Sequence, residues 1–259
     1  MVQFIGQAAL SGNTRLTREM IRAVADMTSH EPEKLAAIVD VEARKEGFFD
    51  DGRPTILFEA HIFGRLTEHA FTKSHPNLSS RRWNRSLYLG GPAEYGRLVD
   101  AMELDEEAAL QSASWGAAQI MGFNHAAAGY SSVYAMIDAF VDGPQSHIEA
   151  MCAFIEAKRI KRAVDLADWT TFARRYNGRG FAKNNYHFKL AIAWAAASGL
   201  TGLEWGGNGQ LVLNLQSTLK VEGRNPGPID GAMGPMTATA LLDYQRLASA
   251  PFPAFLEAA

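Results

Sequence analysis

The sequence predicts a mainly α-helical protein made of one large and one small domain. Apolar residues recur at helical spacing through most of the chain. Residues 201–210 then hold four glycines in ten positions, which indicates a linker. About forty residues with renewed helical spacing follow, close to the lower limit for an independent core. We therefore expect domains over residues 1–200 and 211–259, joined by a linker over 201–210.

Individual helices are predicted from apolar stripes and from their start and stop signals. In residues 31–46 the stripe consists of Leu35, Ile38 and Val39, with Pro32 in the first turn and Gly47 as a stop. Residues 76–92 read as a surface loop, and the apolar residues 56–66 follow neither the helical nor the strand period clearly. The other helices are expected over residues 14–28, 95–102, 106–114, 133–140, 146–158, 169–176, 184–198, around Leu211, Leu215 and Leu219, and over 237–247.

Composition excludes several classes of function. The 259 residues carry a net charge of -3, so the chain has no global basic field of the kind that attracts nucleic acid. Its single cysteine, Cys152, excludes an internal disulfide and a cysteine-rich zinc site, and the apolar neighbours of Cys152 predict a buried position. The seven histidines show no spacing typical of metal sites. We therefore expect no nucleic-acid partner, no metal and no other cofactor.

Glu42 breaks the pattern of the helix predicted over residues 31–46. It occupies the next position of the stripe that contains Leu35, Ile38 and Val39. A buried carboxyl group must pair with a cation or keep its proton. A carboxyl group that stays protonated near neutral pH is what general-acid chemistry on an acetal requires. The structural alternative is that Glu42 lies at the edge of the stripe and reaches water or an arginine.

Glu59 is a second carboxylate among apolar residues, with His61 beside it. Most glycoside hydrolases use two carboxyl groups that face one cleft, one as the acid and the other as the base or nucleophile. The structural alternative is an ion pair between Glu59 and one of the nearby arginines, Arg65, Arg81, Arg82 or Arg85.

Two further segments combine polar side chains with glycine. Gln119 lies in residues 114–122, a run of small residues flanked by glycine, where the backbone can approach a ligand closely. Tyr176 and Asn177 end a predicted helix just before Gly178, a predicted left-handed cap. Sugars are recognised by aromatic faces, amides and carboxylates together, so these residues are candidates for substrate binding.

Four segments, taken in order, closely resemble the N-acetylmuramidase domain of a class of phage endolysins. They read VEARKEGFFDDGRPTILFEAHIF, HPNLSSRRWNRSLYLGG, ALQSASWGAAQIMGFNH and FARRYNG, and the resemblance covers about residues 10–198. It implies a lysozyme-like fold, related to lytic transglycosylases, with Glu42 as the general acid, Gln119 as a substrate-positioning amide, and Tyr176 and Asn177 in the cleft. The second carboxylate stays open among Glu59, Asp50 and Asp51. Ala43 stands where transglycosylases usually have serine.

The C-terminal segment has a resemblance of its own. Residues 211–245 are similar to the small three-helix peptidoglycan-binding domain that often accompanies cell-wall hydrolases. The residues that match its pattern are Leu215, Gln216, Asp230, Gly231, Gly234, Thr237 and Gln245. The resemblance implies bacterial peptidoglycan as the binding partner.

The two resemblances together imply an enzyme that cuts the β-1,4 bond between N-acetylmuramic acid and N-acetylglucosamine. A second carboxylate that activates water would leave a reducing muramic acid, whereas a lytic transglycosylase would leave an anhydro-sugar. The alternative from another class is a non-catalytic wall-binding or virion protein.

The remaining expectations concern the location and the assembly of the protein. The sequence shows neither a signal peptide nor an apolar stretch of bilayer length. We therefore expect a monomer without membrane insertion that stays in the host cytoplasm until it is released to the cell wall.

Overall fold

The computed structural model describes residues 14–42, 47–178, 186–198, 208–232 and 234–248. Short strands and 3-10 turns connect its α-helices, so the fold is mainly helical, as predicted. In chain order the elements are α1 (Arg18–Thr28), α2 (Pro32–Glu42), β1 (Ile56–Phe58), α3 (Ala60–Leu66), α4 (Glu94–Met102), α5 (Glu106–Gln111), β2 (Ala113–Trp115), β3 (Ile120–Met121), α6 (Val133–Asp142), α7 (Pro144–Ala157), α8 (Lys161–Asp165), α9 (Trp169–Tyr176), α10 (Tyr186–Ala197), α11 (Asn208–Val221) and α12 (Pro235–Ala248).

The described residues fall into two compact units. The first contains residues 14–30, Glu42 and residues 47–160, and the second contains residues 31–41 together with the described residues from 161 onwards. Helix α2 therefore groups with the C-terminal part of the chain, except for its last residue. The predicted domain boundaries divide the chain differently, and they stay a prediction.

Side-chain caps set where several helices begin. The Thr17 hydroxyl accepts a hydrogen bond from the amide of Met20, so α1 begins at Arg18 rather than at residue 14 as predicted. Asp105 caps α5 and Ser132 caps α6 in the same way. Asp168 caps α9, which covers the predicted residues 169–176.

The first unit contains a small antiparallel sheet in the order β1-β2-β3. Ile56 pairs with Trp115, and Ser114 pairs with Met121. The predicted end of the helix over residues 106–114 is wrong, because α5 ends at Gln111. The buried residues Ala113–Trp115 form the central strand instead. The unassigned residues 56–66 form β1 and then α3, with Glu59 between them. Short apolar runs do not distinguish a strand from a helix, which explains both differences.

Large apolar side chains fill the core between these elements. Helix α4 packs on β1, α5 packs on α4, and α1 packs on α7. Residues 76–92 form the predicted surface loop, which contains the 3-10 turn Arg85–Leu87 and runs into a second one, Gly91–Ala93. Cys152 is buried, as predicted. The largest fully buried side chains of this unit are Trp115, Phe58, Phe63, Phe140, Leu78, Leu98, Met136, Ile148 and Met151.

In the second unit a buried lysine on α2 contacts two other helices. The Lys34 ammonium donates to the carbonyl of Asp165 at 2.7 Å, forms an ion pair with Glu31, and lies 5.4 Å from the centre of the Trp194 ring. The Trp194 ring in turn meets Trp169 edge to face. One buried cation therefore joins α2, α8 and α10 within this unit.

A single glutamine organises the C-terminal part of the second unit. The Gln216 side chain is 1% exposed and extends from α11. Its amide group donates to Asp230, Ala232 and Thr237, and its carbonyl oxygen accepts from the amides of Asp230 and Gly231. These five contacts hold the turn that precedes α12. Helix α11 begins at Asn208, inside the segment predicted as a linker.

No helix among the described residues combines the length and the apolar character needed to cross a membrane.

Candidate functional site

Glu42 is the last residue of α2, and its side chain is partly buried. Removal from water disfavours the charged form, and this burial raises the pKa of Glu42 from 4.5 to about 7. Between about pH 4.5 and pH 7 the group therefore keeps a proton that an ordinary glutamate has lost. This is the protonation state that a general acid needs.

Gln119 closes the turn between β2 and β3. Its backbone has a φ of +49°, and its amide group donates to the carbonyl oxygens of Thr55 and Gly116 at 3.2 and 2.8 Å. Its carbonyl oxygen accepts from the hydroxyl of Ser114 at 2.8 Å. Both amide hydrogens are thus engaged inside the protein, and one lone pair of the carbonyl oxygen remains for a ligand.

A buried histidine supports this turn from behind. The His147 Nδ1 atom accepts from the amide of Ala117 at 3.1 Å, and Nε2 donates to the carbonyl of Phe140 at 2.8 Å. A β-carbon added at Gly47 or at Gly116 would lie 2.8 Å from Nδ1, so both chain segments pass directly against the ring. The imidazole is neutral, because burial lowers its pKa from 6.5 to about 4.

His147 makes the folded state sensitive to acid. The unfolded imidazole binds a proton below about pH 6.5, whereas the folded one does so only near pH 4, so stability falls as the pH drops through this window. We expect a loss of about 3 kcal/mol in the free energy of unfolding from this residue. Denaturant unfolding at pH 4 to 7 measures it. The His147→Gln variant should be less stable at neutral pH but should lack this slope, and parallel pH dependences of the two proteins would contradict the assignment.

Glu59 lies between β1 and α3, where it accepts a hydrogen bond from one side chain and lies close to a second. The Tyr88 hydroxyl donates to Glu59 Oε2 at 2.6 Å, and His61 Nδ1 lies 3.1 Å from the same oxygen. Burial and the Glu59 carboxylate together raise the pKa of Tyr88 well above its ordinary value, so the phenol stays protonated as the donor. The expected alternative, an ion pair of Glu59 with Arg65, Arg81, Arg82 or Arg85, is wrong among the described residues, because Tyr88 and His61 take its place.

The other candidate carboxylates lie in the loop that precedes β1. Asp51 accepts from the backbone amide and from two guanidinium nitrogens of Arg53, at 3.1, 2.9 and 2.6 Å. The Arg53 guanidinium lowers the pKa of Asp51 and also lies over the Tyr95 ring, 4.1 Å from its centre. Asp51 is therefore ionised and engaged, whereas Asp50 is exposed at the tip of the same loop.

The small sheet separates two of the predicted residues. Gln119 is bonded to Thr55 at the start of β1, and Glu59 follows the end of that strand. Four residues of extended chain span about 13 Å, so Gln119 and Glu59 lie at opposite ends of β1. Gly47, five residues after Glu42, accepts from the amide of Thr55 and so lies at the Gln119 end.

Tyr176 and Asn177 end α9 in the second unit. The Tyr176 ring stacks on Phe172 at 5.1 Å, and the amide of Asn177 donates to the carbonyl of Ala173. Gly178 has a φ of +74°, which is the left-handed cap that the sequence predicted. No group of three or more His, Cys, Asp or Glu side chains suited to hold a metal ion occurs in the parts of the chain described above.

Comparison with known families decides the class of the protein. The family model of N-acetylmuramidase matches residues 31–198, which is more than half of the chain and includes every candidate residue above. The chain belongs to the N-acetylmuramidase family. It is therefore an enzyme that degrades peptidoglycan, and the non-catalytic alternative is wrong.

Two other findings agree with this family. The crystal structure of the Burkholderia AP3 phage endolysin is similar to this muramidase, with 35% identity over 74% of each chain and a TM-score of 0.67. The family model of a peptidoglycan binding domain matches residues 208–251, which include α11, α12 and the Gln216 network. No curated protein matches the sequence.

The Gln216 network predicts how wall attachment of this muramidase can be removed. Gln216→Leu leaves the amides of Asp230 and Gly231 without their acceptor, at a cost of about 3 kcal/mol. We expect faster hydrogen exchange in peptides from residues 208–248 and weaker retention on sacculi, with unchanged exchange in residues 47–160. Ser217→Ala, at the exposed neighbouring position, is the matched control. Equal exchange in the two variants would contradict this role of Gln216.

Proposed function

We propose that this endolysin hydrolyses the β-1,4 bond between N-acetylmuramic acid and N-acetylglucosamine, with Glu42 as the general acid. The observation that carries the proposal is the partly buried carboxyl group at the end of α2, whose pKa of about 7 keeps it protonated up to neutrality. The family supplies the class of substrate. Glu42 would protonate the glycosidic oxygen as the bond to the leaving sugar breaks.

Glu59 is the proposed second carboxylate. It accepts a hydrogen bond from Tyr88 and lies 3.1 Å from His61 Nδ1, and its side chain keeps 16% of its surface exposed, which leaves a path for water or a sugar. Asp51 is less suited, because Arg53 already occupies both of its oxygens, Oδ1 with the backbone amide and Oδ2 with the guanidinium. In this role Glu59 would activate water or stabilise the positive charge that develops on the sugar.

Gln119, Tyr176 and Asn177 are the proposed substrate-binding residues. The amide group of Gln119 is engaged with Thr55 and Gly116, so its contribution is to fix the turn and to offer one lone pair of its carbonyl oxygen. Tyr176 offers an aromatic face and Asn177 an amide at the end of α9. Residues 208–251 would hold the enzyme on the polymer and so raise the local substrate concentration.

Three conservative variants test the assignment of the second carboxylate. Glu59→Gln, Asp51→Asn and Asp50→Asn remove one charge each, and the rate of release of reducing ends from purified sacculi is measured for each. We expect Glu59→Gln to lower the rate about a hundredfold or more and the two aspartate variants to change it only a few-fold. A large loss in Asp51→Asn or Asp50→Asn, with activity retained in Glu59→Gln, would assign the role to the loop instead.

A further inference from the structure

An electropositive surface lies beside Glu59 and its neighbours Tyr88 and His61. Between Glu68 and Glu94 the sequence contains no Asp or Glu, although it contains Lys73 and three arginines, in a chain whose net charge is -3. The guanidinium groups of these arginines form no salt bridge within the described residues. The three arginines are Arg81, Arg82 and Arg85, and all are exposed.

The same loop presents an aromatic side chain to solvent. Trp83 is 58% exposed, and its ring meets the Tyr88 ring edge to face at 6.3 Å. The Tyr88 hydroxyl in turn donates to Glu59, the proposed second carboxylate. Only the Tyr88 side chain therefore stands between Trp83 and Glu59. The adjoining Leu89 is 67% exposed. An exposed tryptophan flanked by arginines is typical of a recognition surface.

A buried ion pair holds this loop in place. Glu94, which is fully buried, accepts from the amides of Leu89 and Gly90 at 2.7 and 2.9 Å. Arg97 lies 2.7 Å from Glu94 and donates to the carbonyls of Phe58 and Asn77. Both ends of the loop are thereby fixed to the Glu94–Arg97 pair of α4, so its conformation is set before any ligand arrives, which lowers the entropic cost of binding.

We propose that residues 79–90 form a binding surface for the peptide stems of peptidoglycan, with the arginines pairing with the free carboxylates of the stem. Guanidinium groups bind carboxylates in a two-pronged geometry, and several weak exposed pairs add up where they converge on one ligand. The surface would place the sugar that carries the stem beside Glu59. This inference rests on the proposed function, because it assumes that the glycan enters next to that carboxylate.

Charge reversal of two arginines tests the surface. The full-length wild type, Arg82→Glu/Arg85→Glu and the control Arg22→Glu, which reverses an exposed cation on α1, are assayed on two substrates. One is purified sacculi freed of other anionic polymers, and the other is the same glycan after an amidase has removed the stems. We expect the double variant to lose about tenfold in kcat/KM on intact sacculi through KM, and nothing on the stem-free glycan. High salt should abolish the difference.

Three results would overturn this inference. An equal loss on both substrates would show that the loop acts on the glycan or on the fold, and an equal loss in Arg22→Glu would show general attraction to a negative wall. The third result comes from a further substrate, sacculi that retain their phosphate polymers: a loss found only with these would assign the surface to phosphate. Failure of the wild type to release reducing ends from either substrate would contradict the proposed function rather than the surface.

Discussion

The Glu42→Gln variant is expected to lose between about a hundredfold and ten-thousandfold of the rate at which the enzyme releases reducing ends from peptidoglycan. Glutamine has nearly the same size as glutamic acid but carries no proton that it can transfer. Attachment to sacculi should be unchanged, because residues 208–251 match the peptidoglycan binding domain and do not include Glu42. Rates on purified sacculi, measured together with sedimentation of the protein with the sacculi, test both halves of this prediction.

The control for this prediction is Glu33→Gln, which removes a carboxyl group from the first turn of the same helix. It should retain near wild-type activity. If Glu42→Gln kept more than about a tenth of the wild-type rate, this result would contradict the role of Glu42 as the general acid.

The pH dependence of the wild type follows from the same carboxyl group. With a pKa of about 7, Glu42 loses its catalytic proton above neutrality, so we expect the rate to fall about tenfold per pH unit above this value.

Glu42 should also make the free energy of unfolding depend on pH, with the opposite sign to the effect of His147. Glu42 binds its proton more tightly in the folded state than in the unfolded state, so its contribution is complete below pH 4.5 and is lost as the pH rises to about 7. Above pH 7, Glu42→Gln should therefore be more stable than the wild type, by up to about 3 kcal/mol.

Arg97→Met is expected to lower the free energy of unfolding by about 3 to 5 kcal/mol. The substitution leaves the fully buried carboxylate of Glu94 without its guanidinium, and it leaves the carbonyls of Phe58 and Asn77 without their donor. The amides of Leu89 and Gly90 keep Glu94 as their acceptor, but its uncompensated charge now opposes folding. Urea unfolding measures the loss.

A double-mutant cycle separates the ion pair from the packing of these two side chains. Glu94→Gln/Arg97→Met removes both charges, and its cost should be clearly smaller than the sum of the two single costs. Additive costs would show that Glu94 and Arg97 act independently, and the loop at residues 79–90 would then need another explanation for its fixed conformation.

Helical periodicity predicted most of the fold because most helices of this chain are amphipathic. The helix over residues 169–176 agrees at both ends, since Asp168 caps one end and Gly178 follows the other. The sheet was not predicted, because strands of two or three residues are too short to show a period. The pairing of β1 with β2 also depends on contacts between residues about sixty positions apart, such as Ile56 with Trp115.

The sequence pointed to individual site residues but not to their partners. Glu42 stood out because it interrupts an apolar stripe, which is a local signal. Nothing local marks Tyr88 as the donor to Glu59, or His147 as the support of the Gln119 turn, because their partners are distant along the chain. The Glu94–Arg97 pair did have a local signal, the spacing of three residues, but the helix was predicted to begin one residue too late to include Glu94.

The most direct test of the central claim is mass spectrometry of the soluble fragments that the wild type and Glu42→Gln release from purified peptidoglycan. The proposed mechanism predicts that the wild type releases fragments with reducing N-acetylmuramic acid ends and that Glu42→Gln releases almost none while it stays bound to the wall. Fragments that end in anhydro-muramic acid would contradict hydrolysis and assign the enzyme to the transglycosylases. Equal release by the two proteins would contradict the role of Glu42.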